Sequence, residues 1–143
     1  MTDPRLAPYG IALLRISMGV MFLAHGFLLK VLTFGPAGTA GYFASIGYPP
    51  SVAYVVIIAE TLAGVALILG VWTRLVALLA LPIMLGALLQ HLPNGWVFSA
   101  PKGGWEFPAF WTVALVAQAM LGSGALALGD IRRFLPGRRV ATA

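Results

Sequence analysis

The chain has 143 residues, of which 60% are hydrophobic and only 9% charged, and its mean hydropathy is +0.94. Soluble domains carry about 25% charged residues, so this composition excludes a soluble domain and indicates a single integral membrane domain. The formal net charge of +5 comes from nine cations and four acids. No basic stripe is interleaved with aromatics, which excludes a nucleic-acid-binding face.

Four apolar runs are each long enough to cross a bilayer. The first span is expected at 9–32, with Pro8 near its first turn, where a missing N–H costs little. It is too long for a signal segment and is interrupted by Arg15 and His25. A Gly- and Ala-rich loop follows at 33–50, within which 42–46 can form a short interfacial helix. The second span is expected at 51–72, after Pro49-Pro50, and Thr73-Arg74 makes a tight turn. The third is expected at 75–92, with a kink at Pro82. A loop at 93–106 leads to the fourth span at 107–128, and a basic tail, 129–143, carries Arg132, Arg133, Arg138 and Arg139. The expected fold is thus an all-α four-helix transmembrane bundle.

Placing both termini in the cytoplasm puts Arg5, Arg74 and the tail arginines inside, with only Lys30 and Lys102 outside. The positive-inside rule selects this arrangement, and makes 33–50 and 93–106 the extracytoplasmic loops. Trp72, Trp96, Trp105, Trp111, Tyr9 and Tyr48 fall near span boundaries, as an aromatic belt does. Gly19, Gly26, Ala59, Ala63, Gly64 and Gly86 offer close helix packing.

Two polar groups stand out. Glu60 lies mid-span, where a charge costs roughly 2.5–3.5 kcal/mol even on lenient insertion scales. It must be neutral, paired or facing water, and Arg15 is the evident partner. At ~1.5 Å of rise per residue, their levels differ by about 6–10 Å, within reach of an arginine. The pair can order the helices, handle protons, or do both. The second group is His25 and His91, at similar depth on two spans running the same way. Gln90, Asn94, Trp105, Glu106 and Lys30 fall on the same side. An apolar cavity with such a rim suits an amphiphilic ring such as a quinone. The histidines also read as interfacial polar residues, or as ligands of one metal or haem, although no third ligand is evident. Glu106 also reads as a helix-start acid.

The residues Arg15, His25-Gly26, Lys30, Ala59-Glu60, Gly64, Gly70 and Thr73-Arg74 occur in an order that resembles the DoxX family. So do 91–95 (His-Leu-Pro-Asn-Gly) and 103–106 (Gly-Gly-Trp-Glu). The resemblance covers about 13–129. It implies a four-helix protein of the inner membrane with links to redox chemistry. One archaeal branch resembles the small subunit of a thiosulfate:quinone oxidoreductase, and other members associate with systems that detoxify oxidants. This chain has no cysteine, so its own side chains cannot carry a thiol relay.

The reading that follows is a redox-associated membrane protein working with the quinone pool. Glu60 handles protons with Arg15 holding its charge. His25, His91, Asn94 and Glu106 line an outward-facing pocket, and Trp105 packs against the ring. No resident metal is expected, a soluble partner or second subunit would supply the electron donor, and the chain is expected to associate with another subunit or as a homo-oligomer. The alternatives are a non-catalytic accessory subunit of a larger membrane complex and a small-molecule transporter, the latter requiring oligomerisation.

Overall fold

In lipid every backbone polar group must be satisfied within the protein, so an apolar chain without a strand-like alternation folds as helices. The computed structural model describes residues 3–131, and every regular element among them is helical. The basic tail from Arg132 onward lies outside the described residues. Helix α1 (Ala7–Leu23) runs without interruption into a π-helical segment, Ala24–Thr33. It is followed by α2 (Gly35–Ser45), α3 (Pro50–Leu69), α4 (Thr73–His91), a 3-10 turn (Leu92–Asn94), α5 (Glu106–Leu121) and α6 (Leu128–Ile131). Three stretches are long and apolar enough to cross a membrane: Ala7–Thr33, Pro50–Leu69 and Thr73–Asn94; α5, with 16 residues, is apolar but shorter.

Four long helices form a ring: α1 packs on α3, α3 on α4, α4 on α5, and α5 on α1. α2 lies across α3 and the π segment. The core contains Met18, Phe22, Leu67, Met84, Trp111 and Leu115. Trp111 is therefore not a belt residue; it is buried, whereas Trp72 and Trp96 are exposed.

Glycine sets the distance between α1 and α3. A Cβ on Gly64 would stand 2.7 Å from Leu23 Cγ and 2.8 Å from the Gly19 carbonyl. Gly26 faces Glu60 in the same way, at 2.7 Å from its Cβ. Gly86 contradicts the packing expectation: nothing lies within 4 Å of its Cβ position, and it opens onto a cavity. Gly64→Ala is accordingly expected to lower stability by about 1–3 kcal/mol, because the helices must separate. Gly10→Ala, on an open helical surface, should instead gain about 0.5–1 kcal/mol. Thermal unfolding of the two variants in detergent checks the contrast.

The boundaries depart from expectation in four places. Thr73 and Arg74 do not form the tight turn expected there but open α4, because the chain reverses at 70–72, where Gly70 and Trp72 take positive φ. α2 is eleven residues long rather than a five-residue stub. Its docking compensates for its glycines: Ala40 is buried, and the Thr39 hydroxyl donates to the Lys30 carbonyl at 2.9 Å. α3 stops at Leu69, where Gly70 turns left-handed (φ 71°) and the Val71 N–H returns to the Ala66 carbonyl at 2.9 Å. α5 stops at Leu121, seven residues before the expected end at 128. Gly122 and Gly124 adopt positive φ, and the chain folds back so that the Ala125 N–H donates to the Pro8 carbonyl at 2.9 Å. Only a glycine fits at 124, because a Cβ there would lie 2.6 Å from that same carbonyl.

Candidate functional site

Arg15 and Glu60 do not pair. Arg15 is fully buried and gives its donors to backbone carbonyls at the end of the bundle where α1 begins. Nη1 donates to Leu67 at 2.5 Å and Ile68 at 2.8 Å, Nε to Ser123 at 2.8 Å, and Nη2 to Ala125 and Leu126 at 3.0 and 3.2 Å. The physical reason is the unsatisfied end of α3. The last carbonyls of a helix lack intrahelical donors and carry its negative pole. A planar fork of five N–H groups matches such a cluster. Glu60 lies seven residues, or about 10 Å, further along α3 from Leu67.

Glu60, 6% exposed, pairs with Lys30 instead: Nζ lies 2.6 Å from Oε2. The same ammonium donates to the His25 carbonyl at 3.3 Å. The π segment makes this geometry. At 3.6 residues per turn, five residues overshoot a full turn by about 140°, which would carry Lys30 off the His25 face. A π-helix bonds i to i+5, so Lys30 returns above His25 and points back along the helix. Two further bonds follow the same interval, from the Thr33 hydroxyl to the Leu28 carbonyl (2.9 Å) and from the Phe34 N–H to the Leu29 carbonyl (2.8 Å).

The pair forms part of the wall of a cavity of about 480 Å3, lined by the π segment, α2, α3, α4 and α5. That size falls within the usual range for small-molecule sites. His25 and His91 both line it, as do Gln90, Tyr42 and Tyr48. Much of the rest is apolar, including Phe107 and Trp111 from successive turns of α5 and Pro82 and Gly86 from α4.

Each histidine has its tautomer fixed by a carbonyl. His25 Nδ1 lies 2.9 Å from the Met21 oxygen, and His91 Nδ1 lies 3.0 Å from the Gly103 oxygen. A carbonyl only accepts, so Nδ1 carries hydrogen in both rings and Nε2 remains to take or give a proton. The His25 ring stacks on Phe107, with centroids 6.2 Å apart, and meets Trp111 edge-on at 5.3 Å. Trp111 Nε1 is a buried donor with no hydrogen-bond partner among the described residues. Gln90 Nε2 donates to the Tyr48 hydroxyl at 3.2 Å, tying α4 to the turn before α3.

Asn94, Trp105 and Glu106 are not among the residues lining the cavity. They shape the loop beside it. Asn94 Nδ2 donates to the Gly103 carbonyl at 2.9 Å, the acceptor also used by His91. Glu106 Oε1 accepts from the Phe98 N–H at 2.9 Å, and Trp105 packs edge-on against Trp96 at 4.4 Å. The aromatic walls are Phe107 and Trp111, where the sequence places Trp111 in the aromatic belt and Trp105 against the ring. Their i, i+4 spacing on an apolar helix was the available signal. Among the described residues, no three His, Asp or Glu side chains are grouped to hold a metal ion.

A helical bundle with three helices long and apolar enough to cross a membrane, and a largely apolar cavity with a few polar groups in its wall, defines a small multi-pass membrane protein. The DoxX family model matches residues 10–98. The chain is also 35% identical over 120 residues to a Bacillus subtilis (strain 168) protein named "Putative oxidoreductase CatD", covering 83% of this chain and 84% of that one. The chain belongs to the DoxX family. No solved structure matches it.

Proposed function

We propose that this protein is a redox-associated component of the bacterial inner membrane whose cavity takes a quinone head group from the lipid phase. The observation that carries this reading is an ion pair and an imidazole set in the wall of an otherwise largely apolar cavity of about 480 Å3. Intramembrane charges of this kind mark substrate or proton pathways by default. The oxidoreductase name of its relative points the same way.

The topology of this reading has four crossings. Non-helical backbone is tolerated at membrane depth only where protein buries it, and Arg15 supplies donors to the carbonyls of 123, 125 and 126. The segment after α5 can therefore complete a fourth, partly irregular crossing. Arg5 and Arg74 then face the cytoplasm, and the cavity opens on the outer side.

A quinone takes up two electrons and two protons to become a quinol, and the electrons come from a partner protein. The chain's own residues bind and move protons. Phe107 and Trp111 offer faces for a flat ring, and the unpaired indole N–H suits an oxygen acceptor. His25 Nε2 exchanges a proton with a ring oxygen, since Nδ1 is held by Met21. Lys30 and Glu60 hold one proton between them, and a proton they give to the ring is replaced from the cavity mouth, because its loss leaves a lone negative charge in the wall.

Glu60→Gln keeps the shape and removes the ionisable group. A short-chain quinone analogue should still quench Trp111 fluorescence in the variant, with Trp111→Phe as the reference. Quinone-linked turnover of membranes carrying the variant should fall at least about a hundredfold. Full turnover in the variant would refute the proton role, and no quenching in the parent protein would refute the quinone reading.

A further inference from the structure

The opposite end of the bundle carries a second, more open recess of about 390 Å3, bounded by Trp72, Thr73, Arg74, Leu75 and Ser123. α4 begins here without a cap. Its N-cap residue is Trp72, held left-handed at φ 47°, and no side chain accepts from the first turn. The Val76 N–H is the first to be satisfied within the helix, by the Trp72 carbonyl at 2.9 Å. The N–H groups of Thr73, Arg74 and Leu75 are thus left at the positive pole of the helix dipole.

Two side chains add to them independently. Thr73 is only 1% exposed, yet its hydroxyl has no hydrogen-bond partner among the described residues, an arrangement that is costly in a folded interior. Arg74 is exposed and forms no hydrogen bond or ion pair with the described residues. Its Nε stands 3.2 Å from the Cβ position of Gly122, so the guanidinium lies over the recess-side turn. Backbone donors, an unpartnered buried hydroxyl and a guanidinium bound one hollow, next to the exposed Trp72 and Leu75.

We propose that this recess binds a phosphate group, with the α4 N-terminus and Thr73 as fixed donors and Arg74 as the charge partner. A phospholipid headgroup and free phosphate share that chemistry. The flanking Trp72 and Leu75, exposed as lipid-facing side chains are, favour the lipid.

Native mass spectrometry of the detergent-solubilised full chain tests this with phosphatidylglycerol against diacylglycerol of the same acyl chains. In parallel, inorganic phosphate is titrated and followed by phosphorus NMR. Phosphatidylglycerol should be retained at least about tenfold more than diacylglycerol. Arg74→Gln and Thr73→Val should each remove most of that preference. Arg5→Gln, an exposed cation at the same end but outside the recess, should leave it unchanged. Binding of inorganic phosphate that is lost in Arg74→Gln, without lipid preference, would support the site with a soluble source. No preference for phosphate in either arm would overturn the proposal, as would an equal loss in Arg5→Gln. Because Arg74 is exposed, its variant carries the test even if Thr73→Val fails to fold.

Discussion

Arg15→Met is expected to cost the fold about 3–5 kcal/mol, one of the two largest losses expected from a single substitution in this chain. The side chain is fully buried and serves five carbonyls on two separate segments. Without it, the end of α3 and the turn after α5 lose their shared donor, and each unsatisfied buried carbonyl costs about 1–3 kcal/mol, though not additively. Gly70 adds to the sensitivity: a Cβ there would lie 2.7 Å from Arg15 Nη1, so no larger residue can close over the gap. Arg15→Lys keeps the charge but offers three donors rather than a planar fork of five, and should recover only about half of the loss. Unfolding in detergent, followed by circular dichroism, reads both variants. An Arg15→Met protein within about 0.5 kcal/mol of the parent would contradict the capping role.

Lys30→Met should have a comparable effect, about 3–5 kcal/mol, because it leaves the Glu60 carboxylate buried beside Gly26 without its counter-ion. Removing both charges should be far milder. Lys30→Met with Glu60→Leu is expected within about 1 kcal/mol of the parent, since a buried pair replaced by apolar groups is often near neutral. The cycle then yields a coupling of at least about 2 kcal/mol. The double variant should fold and yet fail in quinone-linked turnover, which separates the pair's structural role from its chemical one. Additive effects of the two substitutions would mean that the charges do not meet in the wall.

Much of the scaffold was legible in the sequence. Apolar run length located Ala7–Thr33, Pro50–Leu69 and Thr73–Asn94, and Gly19, Gly26 and Gly64 announced the close contact of the first two. The partners of the charges were not legible, for two separate reasons. Arg15 is held by backbone carbonyls, and a carbonyl has no letter of its own in a sequence. Glu60, the one acid within the apolar spans, sits too far from the guanidinium along α3. Lys30 falls on the outer side with the loop residues when the first span is read as a regular α-helix. The change to π geometry after Leu23 turns it back toward Glu60, and no single residue in Ala24–Thr33 signals that change. Asn94, Trp105 and Glu106 are spent on the loop's own contacts beside the cavity, which composition cannot distinguish from bonds to a ligand.

Photolabelling with an azido-quinone in lipid nanodiscs, followed by peptide mapping, addresses the cavity most directly. The expected adducts fall on peptides holding His25, Tyr42 and Phe107, and excess unlabelled quinone removes them. Adducts scattered over lipid-facing positions such as Val113 and Met120, and unaffected by competitor, would contradict a quinone site between these helices.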